Sequence, residues 1–345
     1  MIKQIYDRSH AAACFFRSTV TPPHYKALLQ VTEKCNFKCS HCFVESTQVG
    51  NEMLLSDIVE RVIPNLIKSN VVKITLTGGE PLIHKDISGI IAALCDNNIA
   101  VSICTNGSLI TDSFLHFVSD YKNIHFNISL DGLRLESHGR FRGNLEGTTF
   151  DRVIENIKKV GRQNLLNGIL TTPNNYASVD EYVELCDFAR GAGAKYVLMN
   201  PLSPFGRGQE TQHLAYSKED MISLKAQTSI KRANGFDVVY IRFPNDRGLP
   251  LSGCPLGSFP YIFTNGDVVI CPYTSFAAET PDNDYNRNQF LLYNVMTDDS
   301  TLQESINRYT LPDGRGLNLH SLDGRGCCAA KIAHNLSLES FDSLG

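Results

Sequence analysis

The 345-residue sequence contains no uninterrupted apolar run of about 18 residues, the length a membrane-spanning helix needs. Its first twenty residues, MIKQIYDRSHAAACFFRSTV, hold no apolar core of signal-peptide length, which argues against secretion. Neither sign of charge is in excess. The 32 Lys and Arg against 36 Asp and Glu leave a formal charge of −4, so a surface built to hold nucleic acid is not expected. There is no low-complexity tract and no long repeat, and the ten histidines form no i, i+4 pair that would mark a helical metal site. These absences leave a cytoplasmic globular chain, long enough for two domains or for one large α/β domain with an appendage. A chain of this size buries a large core without disulfide help. One abundance stands against them, namely eleven cysteines. Disulfides are rare in the cytosol, so metal or cluster ligation is the leading explanation.

From residue 26 to about 200 the chain alternates strand, loop and helix. Apolar β-rich runs fall at Ala27–Val31, Lys73–Leu76, Ala100–Cys104, His125–Ser129, Gly168–Thr172 and Lys195–Met199. Between them lie amphipathic stretches whose apolar residues recur at three- and four-residue steps, as in Val153, Ile154, Ile157 and Val160. Pro64 inside the first of these predicts a kink or break. Six strands alternating with helices imply a parallel sheet with ligands at the carboxyl ends of the strands. After PLSPFGRG (201–208) the alternation stops. One further helix, about 217–234, leads into short β runs, with Asn265-Gly266 as a two-residue hairpin signal. Three segments are expected: an extension over 1–25, a core over 26–234, and a small irregular domain over 235–345.

Cys35, Cys39 and Cys42 follow the first strand in EKCNFKCSHCF, a C-x3-C-x2-C spacing with no fourth cysteine nearby. A short loop can wrap three thiolates around one iron–sulfur cubane, leaving one iron open to a small molecule. Structural zinc needs four ligands, and this is not a usual zinc spacing. His41 is jammed between two of the cysteines.

CNFKCSHCF resembles the signature of the radical S-adenosylmethionine (SAM) enzymes, including the aromatic residue after the third cysteine. Other elements similar to that superfamily follow at strand ends: Thr77-Gly78-Gly79-Glu80-Pro81, Thr105-Asn106-Gly107, Ser129-Leu130-Asp131-Gly132, and HGRFRGNLEGTTF with Arg140 and Arg142. The resemblance covers about 26–200. It implies a partial (β/α)6 TIM-like barrel, a [4Fe-4S] cluster on Cys35, Cys39 and Cys42, and SAM chelating the open iron. It also implies SAM contacts from Gly78, Gly79, Glu80, Asn106, Ser129, Asp131 and one of Arg140 or Arg142. Glycine lets a ligand approach the backbone, and an arginine clamps a carboxylate bidentately. Asn106 reads equally as a turn residue. A barrel that shields a radical is expected to present apolar inward residues with few polar anchors.

A second group, Cys254, Cys271, Cys327 and Cys328, resembles the SPASM or twitch extensions that carry auxiliary Fe–S clusters in such enzymes. A full SPASM set has about seven cysteines, so the four here fit a single cluster, held by Cys254, Cys271 and one or both of the adjacent pair. Cys95 and Cys186 lie on apparent helix faces as small hydrophobes. Cys104 ends a strand facing the site, and Cys14 has no assigned role. DGRG at 313–316 and 323–326 reads as turns or as an anion grip, and Phe205–Gly208 reads as a linker or as active-site lining.

The resemblance implies reductive SAM cleavage and hydrogen abstraction, with an external electron donor of flavodoxin or ferredoxin type. The first-ranked substrate is a ribosomally made peptide. The roughly 25 residues before the first strand are too few for a leader-binding domain, so a separate recognition protein is expected. The alternatives are a small-molecule substrate (a sugar, nucleoside or cofactor precursor) and, remotely, a non-catalytic Fe–S electron carrier.

Overall fold

The computed structural model describes residues 20, 23–233, 235–240, 260–279 and 284–308. Cys14, Cys254, Cys327, Cys328 and both DGRG segments lie outside the described residues.

Every strand predicted up to residue 200 is present, and each is joined to the next by a helix. Seven strands run parallel in chain order: β1 (Tyr25–Thr32), β2 (Val71–Gly78), β3 (Ala100–Thr105), β4 (Ile124–Ser129), β5 (Leu166–Thr171), β6 (Tyr196–Met199) and β7 (Asp237–Tyr240). The connecting helices are α1 (55–68), α2 (Ile87–Asp96), α3 (Asp112–Ser119), α4 (Gly147–Arg162), α5 (Val179–Gly191) and α6 (Lys218–Ser229). This is a mixed α/β fold built on an open, TIM-like parallel sheet. The short strand expected at 238–242 appears as β7, a seventh parallel strand that pairs with β6.

The sheet also grows on its other edge. β8 (Tyr261–Ile262) pairs parallel with β1, and β9 (Asp267–Val269) and β10 (Leu291–Asn294) follow antiparallel. One ten-stranded sheet therefore crosses the boundary drawn at residue 235. The hairpin signal at Asn265-Gly266 resolves into a three-residue loop. Gly266 N–H donates to Phe263 O, and Phe263 N–H donates to Asp267 O. Gly266 takes φ +88, the left-handed position such a loop reserves for glycine.

Sequence chemistry sets the helix ends. Thr111, Ser178 and Ser217 accept from the backbone N–H three residues on, at 3.2, 3.2 and 3.0 Å. Pro64 does not break α1. The helix continues through it, with a π turn at Ile58–Val62 just before the residue that cannot donate.

The strands alternate, and their apolar face points out toward the helices. Ala27, Leu29, Val31, Ile74, Leu76, Val101, Ile103, Phe126 and Ile128 are all fully buried there. Val153, Ile157 and Val160 of α4 join the same cluster with no exposure, each side chain stabilising by ~1.5–3 kcal/mol. Among the described residues no helix is long and apolar enough to cross a membrane.

Candidate active site

The loop that leaves β1 carries the three cysteines to the carboxyl end of the sheet. Cys35 and Cys39 are each 8% exposed and cluster with Phe37 and the half-buried Cys42. The loop is held by its backbone. Cys35 N–H donates to Thr47 O at 2.6 Å, and Ser40 N–H donates to Phe141 O at 2.8 Å. All three thiols are free and line one cavity of about 520 Å³. Burial pushes the Cys35 thiol up to about 11 and the Cys39 thiol up to about 12. A buried thiolate therefore needs positive charge, and Arg142 Nη1, 3.9 Å from Cys39 Sγ, offers only part of it. Iron would supply the rest, because thiolates are the ligating form. Among the described residues no three ligating side chains converge on a single ion. Three thiols without a fourth ligand suit a cluster with one open iron better than a structural zinc.

Gly78 and Gly79 line the same cavity, and the chain itself comes close to them. A Cβ on Gly78 would lie 2.3 Å from Thr32 O, and one on Gly79 would lie 2.2 Å from Lys34 O. The end of β2 runs against the root of the cysteine loop, with Gly79 N–H donating to Thr32 O and Glu80 N–H to Lys34 O. Only glycine permits that approach. Glu80 is 1% exposed. Its carboxylate accepts from Thr105 Oγ1 and Asn106 N–H, both at 2.7 Å, and from Leu82 N–H at 3.1 Å. Burial raises its pKa against those bonds. Asn106 donates to Asn36 Oδ1 at 2.8 Å, tying the β3 loop to the cysteine loop. Its own Oδ1 accepts from Ser108 N–H, so it is a turn residue as well.

Burial separates the two arginines that sequence left open, since Arg142 is buried at the cavity wall and Arg140 is exposed. Arg142 Nε donates to Asp131 Oδ2 at 2.6 Å. Asp131 has no exposure, and its other oxygen accepts from Thr172 N–H at 2.7 Å. Burial pulls its pKa up, but Arg142 foremost, then His41 and His138, hold it below the usual range. Asp131 sits behind Arg142 and is not in the cavity wall, whereas Ser129 faces the cavity. His41 stacks on Phe141 at 4.3 Å, and burial lowers its pKa to about 4.

Arg207, from the segment after β6, clamps the cysteine loop from the other side. Its Nε donates to Cys39 O at 2.8 Å and its Nη1 to Ser46 O at 3.0 Å, while its backbone N–H reaches Cys42 O at 3.1 Å. Gly206 makes this possible. A Cβ there would lie 2.6 Å from Phe43 Cα, and its φ is +56. Phe43 packs into Phe205, Tyr273 and Phe276 at 6.3, 5.8 and 5.1 Å. The aromatic residue after the third cysteine therefore fastens the loop to α7 (Pro272–Ala278). Buried Cys271 stands at the start of that helix.

The barrel interior differs from the expected apolar lining. Its inward positions include Lys26, Lys73, Ser102, His125, Asn127 and Lys195. The alternation that sends apolar residues outward to the helices sends their polar neighbours inward. Tyr196 Oη and Asn167 both donate to Asn127 Oδ1, at 2.7 and 3.1 Å. The lysines were missed in the sequence, where only their period-two spacing from the apolar positions marks them.

Residues 29–197 match the radical SAM superfamily model. The chain belongs to the radical SAM superfamily. That superfamily binds a [4Fe-4S] cluster and SAM. The chain is 28% identical over 219 residues to the subtilosin biosynthesis protein AlbA of Bacillus subtilis, covering 61% of this chain and 48% of AlbA. It is 30% identical over 175 residues to a GTP 3′,8-cyclase of Campylobacter jejuni, covering 48% and 52%. The chain thus spans about half the length of these relatives. Among solved structures, Streptococcus suis SuiB superposes with a TM-score of 0.67 at 18% identity, over 92% of this chain and 77% of SuiB. That likeness concerns the fold alone.

Proposed function

We propose that this radical SAM chain cleaves SAM reductively and abstracts hydrogen from a ribosomally made peptide, leading to a cross-link, an epimer or an oxidised side chain. The observation that carries the SAM reading is the three thiols, two buried and one half-buried, facing one cavity beside the Asp131–Arg142 pair. Cys35, Cys39 and Cys42 would hold the cluster. When bound, the cluster supplies the electron that splits SAM into methionine and a 5′-deoxyadenosyl radical. The chain's own residues position and shield. Arg207, Gly206 and Phe43 fix the cysteine loop, and Glu80 fixes the β2 and β3 loops beside it. Arg142, oriented by Asp131, presents a cation at the cavity wall to the SAM carboxylate. Ser129 offers a hydroxyl to the same ligand, and Asn106 sets its loop.

A peptide substrate is supported by AlbA's role in bacteriocin biosynthesis and by the SuiB crystal structure with its precursor peptide SuiA. The deep polar barrel interior favours the second reading, a small-molecule substrate, which the likeness to a GTP 3′,8-cyclase also supports. An external low-potential donor would supply electrons, and a separate protein would recognise the peptide. An auxiliary cluster on Cys254, Cys271 and one or both of Cys327 and Cys328 belongs to the same proposal.

Anaerobic protein with reductant and SAM is expected to form 5′-deoxyadenosine, and Cys39→Ala to form none. Cleavage retained by Cys39→Ala sinks the reading. Iron analysis should give about eight irons per chain with two four-iron clusters and about four with one. Deuterium carried from a labelled peptide or small molecule into 5′-deoxyadenosine decides between the substrates.

A further inference from the structure

Among the described residues four thiols line the cavity, and three of them belong to the cysteine loop. The fourth is Cys104, one residue before the end of β3. It is half-buried and free, and it stands apart from the group that Cys35, Cys39 and Cys42 form with Phe37. Its neighbour Ile103 is the register partner of Leu76, so Cys104 lies level with Thr77, two residues short of Gly79. A cluster on the loop, with SAM on its open iron, leaves this thiol without a role.

Polar residues from three strands hold the thiol in place. Asn127, the register partner of Cys104 on β4, donates Nδ2 to its Sγ at 3.9 Å. The other end of that amide fixes its orientation, because Oδ1 accepts from Tyr196 Oη at 2.7 Å and from Asn167 Nδ2 at 3.1 Å. With both acceptor positions of the oxygen filled, the nitrogen faces Cys104. Tyr196 reaches across only because residue 168 is glycine, since a Cβ there would lie 2.4 Å from the ring. The sulfur accepts from Asn127, so the thiol hydrogen is free to point into the cavity. Two residues earlier on the same face of β3, Ser102 is 2% exposed and lines the cavity, and its hydroxyl has no hydrogen-bond partner among the described residues. Its register partner His125 lines the cavity too, with a buried Nδ1 that has no partner. Buried polar groups are ordinarily paired, so these two mark room for a polar substrate beside the thiol. Burial pushes the Cys104 thiol up to about 11, so at neutral pH the sulfur keeps its hydrogen.

We propose that Cys104 is the hydrogen-atom donor to the substrate radical. This rests on the radical SAM reading, which supplies that radical. The S–H bond of Cys104 breaks as a C–H bond forms on the radical carbon, and the transfer is favourable because a thiol S–H bond is weaker than an ordinary aliphatic C–H bond. A thiyl radical is left on Cys104. One electron from the external low-potential donor and one proton from solvent restore the thiol. The hydrogen first removed leaves toward the cysteine end, on 5′-deoxyadenosine, whereas the one returned comes from within the strands. A carbon that loses hydrogen to one side and regains it from the other is inverted. Of the outcomes open to the substrate, Cys104 therefore selects the epimer.

The test gives the anaerobic, cluster-loaded full chain reductant and SAM alone in deuterium oxide, and reads 5′-deoxyadenosine by mass spectrometry. Without a substrate, the 5′-deoxyadenosyl radical takes hydrogen from what the cavity offers. The Cys104 thiol exchanges with solvent and carbon-bound hydrogens do not, so deuterium in the product reports the thiol. Wild type is expected to place deuterium in 5′-deoxyadenosine. Cys104→Ala and Cys104→Ser should go on forming 5′-deoxyadenosine but lose most of its deuterium, because an alcohol O–H bond is too strong to give a hydrogen atom to a carbon radical. Iron content and circular dichroism equal to wild type show that each variant folds. Wild-type product without deuterium, or deuterium unchanged in either variant, overturns the donor and leaves the SAM reading standing. No 5′-deoxyadenosine from wild type overturns the SAM reading and the donor with it. The peptide or small molecule found to pass deuterium to 5′-deoxyadenosine is then turned over unlabelled in deuterium oxide. One deuterium gained at an inverted carbon is expected, and a product of unchanged configuration overturns the epimer.

Discussion

Replacing Asp131 by Asn separates two roles that sequence alone runs together. As a SAM ligand, Asp131 would matter for affinity and little for the fold. As the partner of Arg142, it matters for both. The Asn side chain has the same shape, but Thr172 N–H needs an acceptor at 2.7 Å, which holds the amide oxygen there. The amide nitrogen then faces Arg142 Nε, donor against donor, where a carboxylate oxygen stands at 2.6 Å in the wild type. Both partners are buried. Breaking such a pair by removing one member costs about 3–5 kcal/mol, since the other charge stays buried without compensation. At about 2–4 °C per kcal/mol for large domains, the melting temperature should fall by roughly ten degrees. Anaerobic thermal unfolding measures this, and SAM affinity is taken alongside. Removing the stranded charge in Asp131→Asn/Arg142→Gln should restore part of the lost stability without restoring SAM binding. An Asp131→Asn melting temperature equal to wild type would refute the positioning role and return Asp131 to the ligands.

Arg207→Met removes two charged donors from the carbonyls of Cys39 and Ser46, each worth ~1.5–3 kcal/mol. Iron should leave the variant several-fold faster under a chelator, and unchanged release kinetics would show that the clamp is idle. Lys26→Met tests what a lysine buried in the barrel costs. In the folded chain Lys26 titrates near 7 against an ordinary 10.5, so between those values the unfolded chain binds more protons. Wild-type stability should therefore rise with pH across that window, by up to ~5 kcal/mol at about 1.4 kcal/mol per pH unit. Thermal unfolding at pH 7 and pH 9.5 should show a slope in wild type that Lys26→Met has largely lost, and equal slopes would reject a strained lysine.

The barrel was legible because its periodicities are local. An apolar step of three and four residues and an apolar strand every 25 to 46 residues already imply helices on a parallel sheet. The cysteine spacing is local too, and so is the glycine pair after β2. What sequence could not reveal is set by long-range approach. Gly78 and Gly79 read as a place for a ligand, yet their tightest neighbours are Thr32 O and Lys34 O, more than forty residues earlier in the chain. Asp131 read as a ligand because it stands two residues after Ser129 at a strand end, and only the fold brings Arg142 across it. Arg140 and Arg142 are indistinguishable in sequence, and one short helical turn buries the second and exposes the first. The inward lysines escaped because an apolar run was read as a whole. Lys26-Ala-Leu-Leu-Gln and Lys73-Ile-Thr-Leu-Thr instead divide face by face.

That division links fold to chemistry. A parallel strand in an ordinary α/β barrel is buried on both faces and reads as a continuous apolar run. Here the outward face carries the packing energy, with Leu29, Ile74, Val101 and Phe126 fully buried, so the inward face is released from supporting the core. It can then hold polar groups, with thiols at one end and lysines at the other. The loop of thiols is fixed by Arg207, Gly206 and the Phe43 aromatic cluster on one side and by the loops after β2 and β3 on the other. Lys26 and Lys73 stand on paired strands of the sheet, whereas the cysteine loop depends on a clamp made after β6. Mutations of the clamp should therefore alter cluster retention and leave the pH dependence set by Lys26 intact, and a clamp variant that moved both readouts together would show that the two ends of the cavity act as one site.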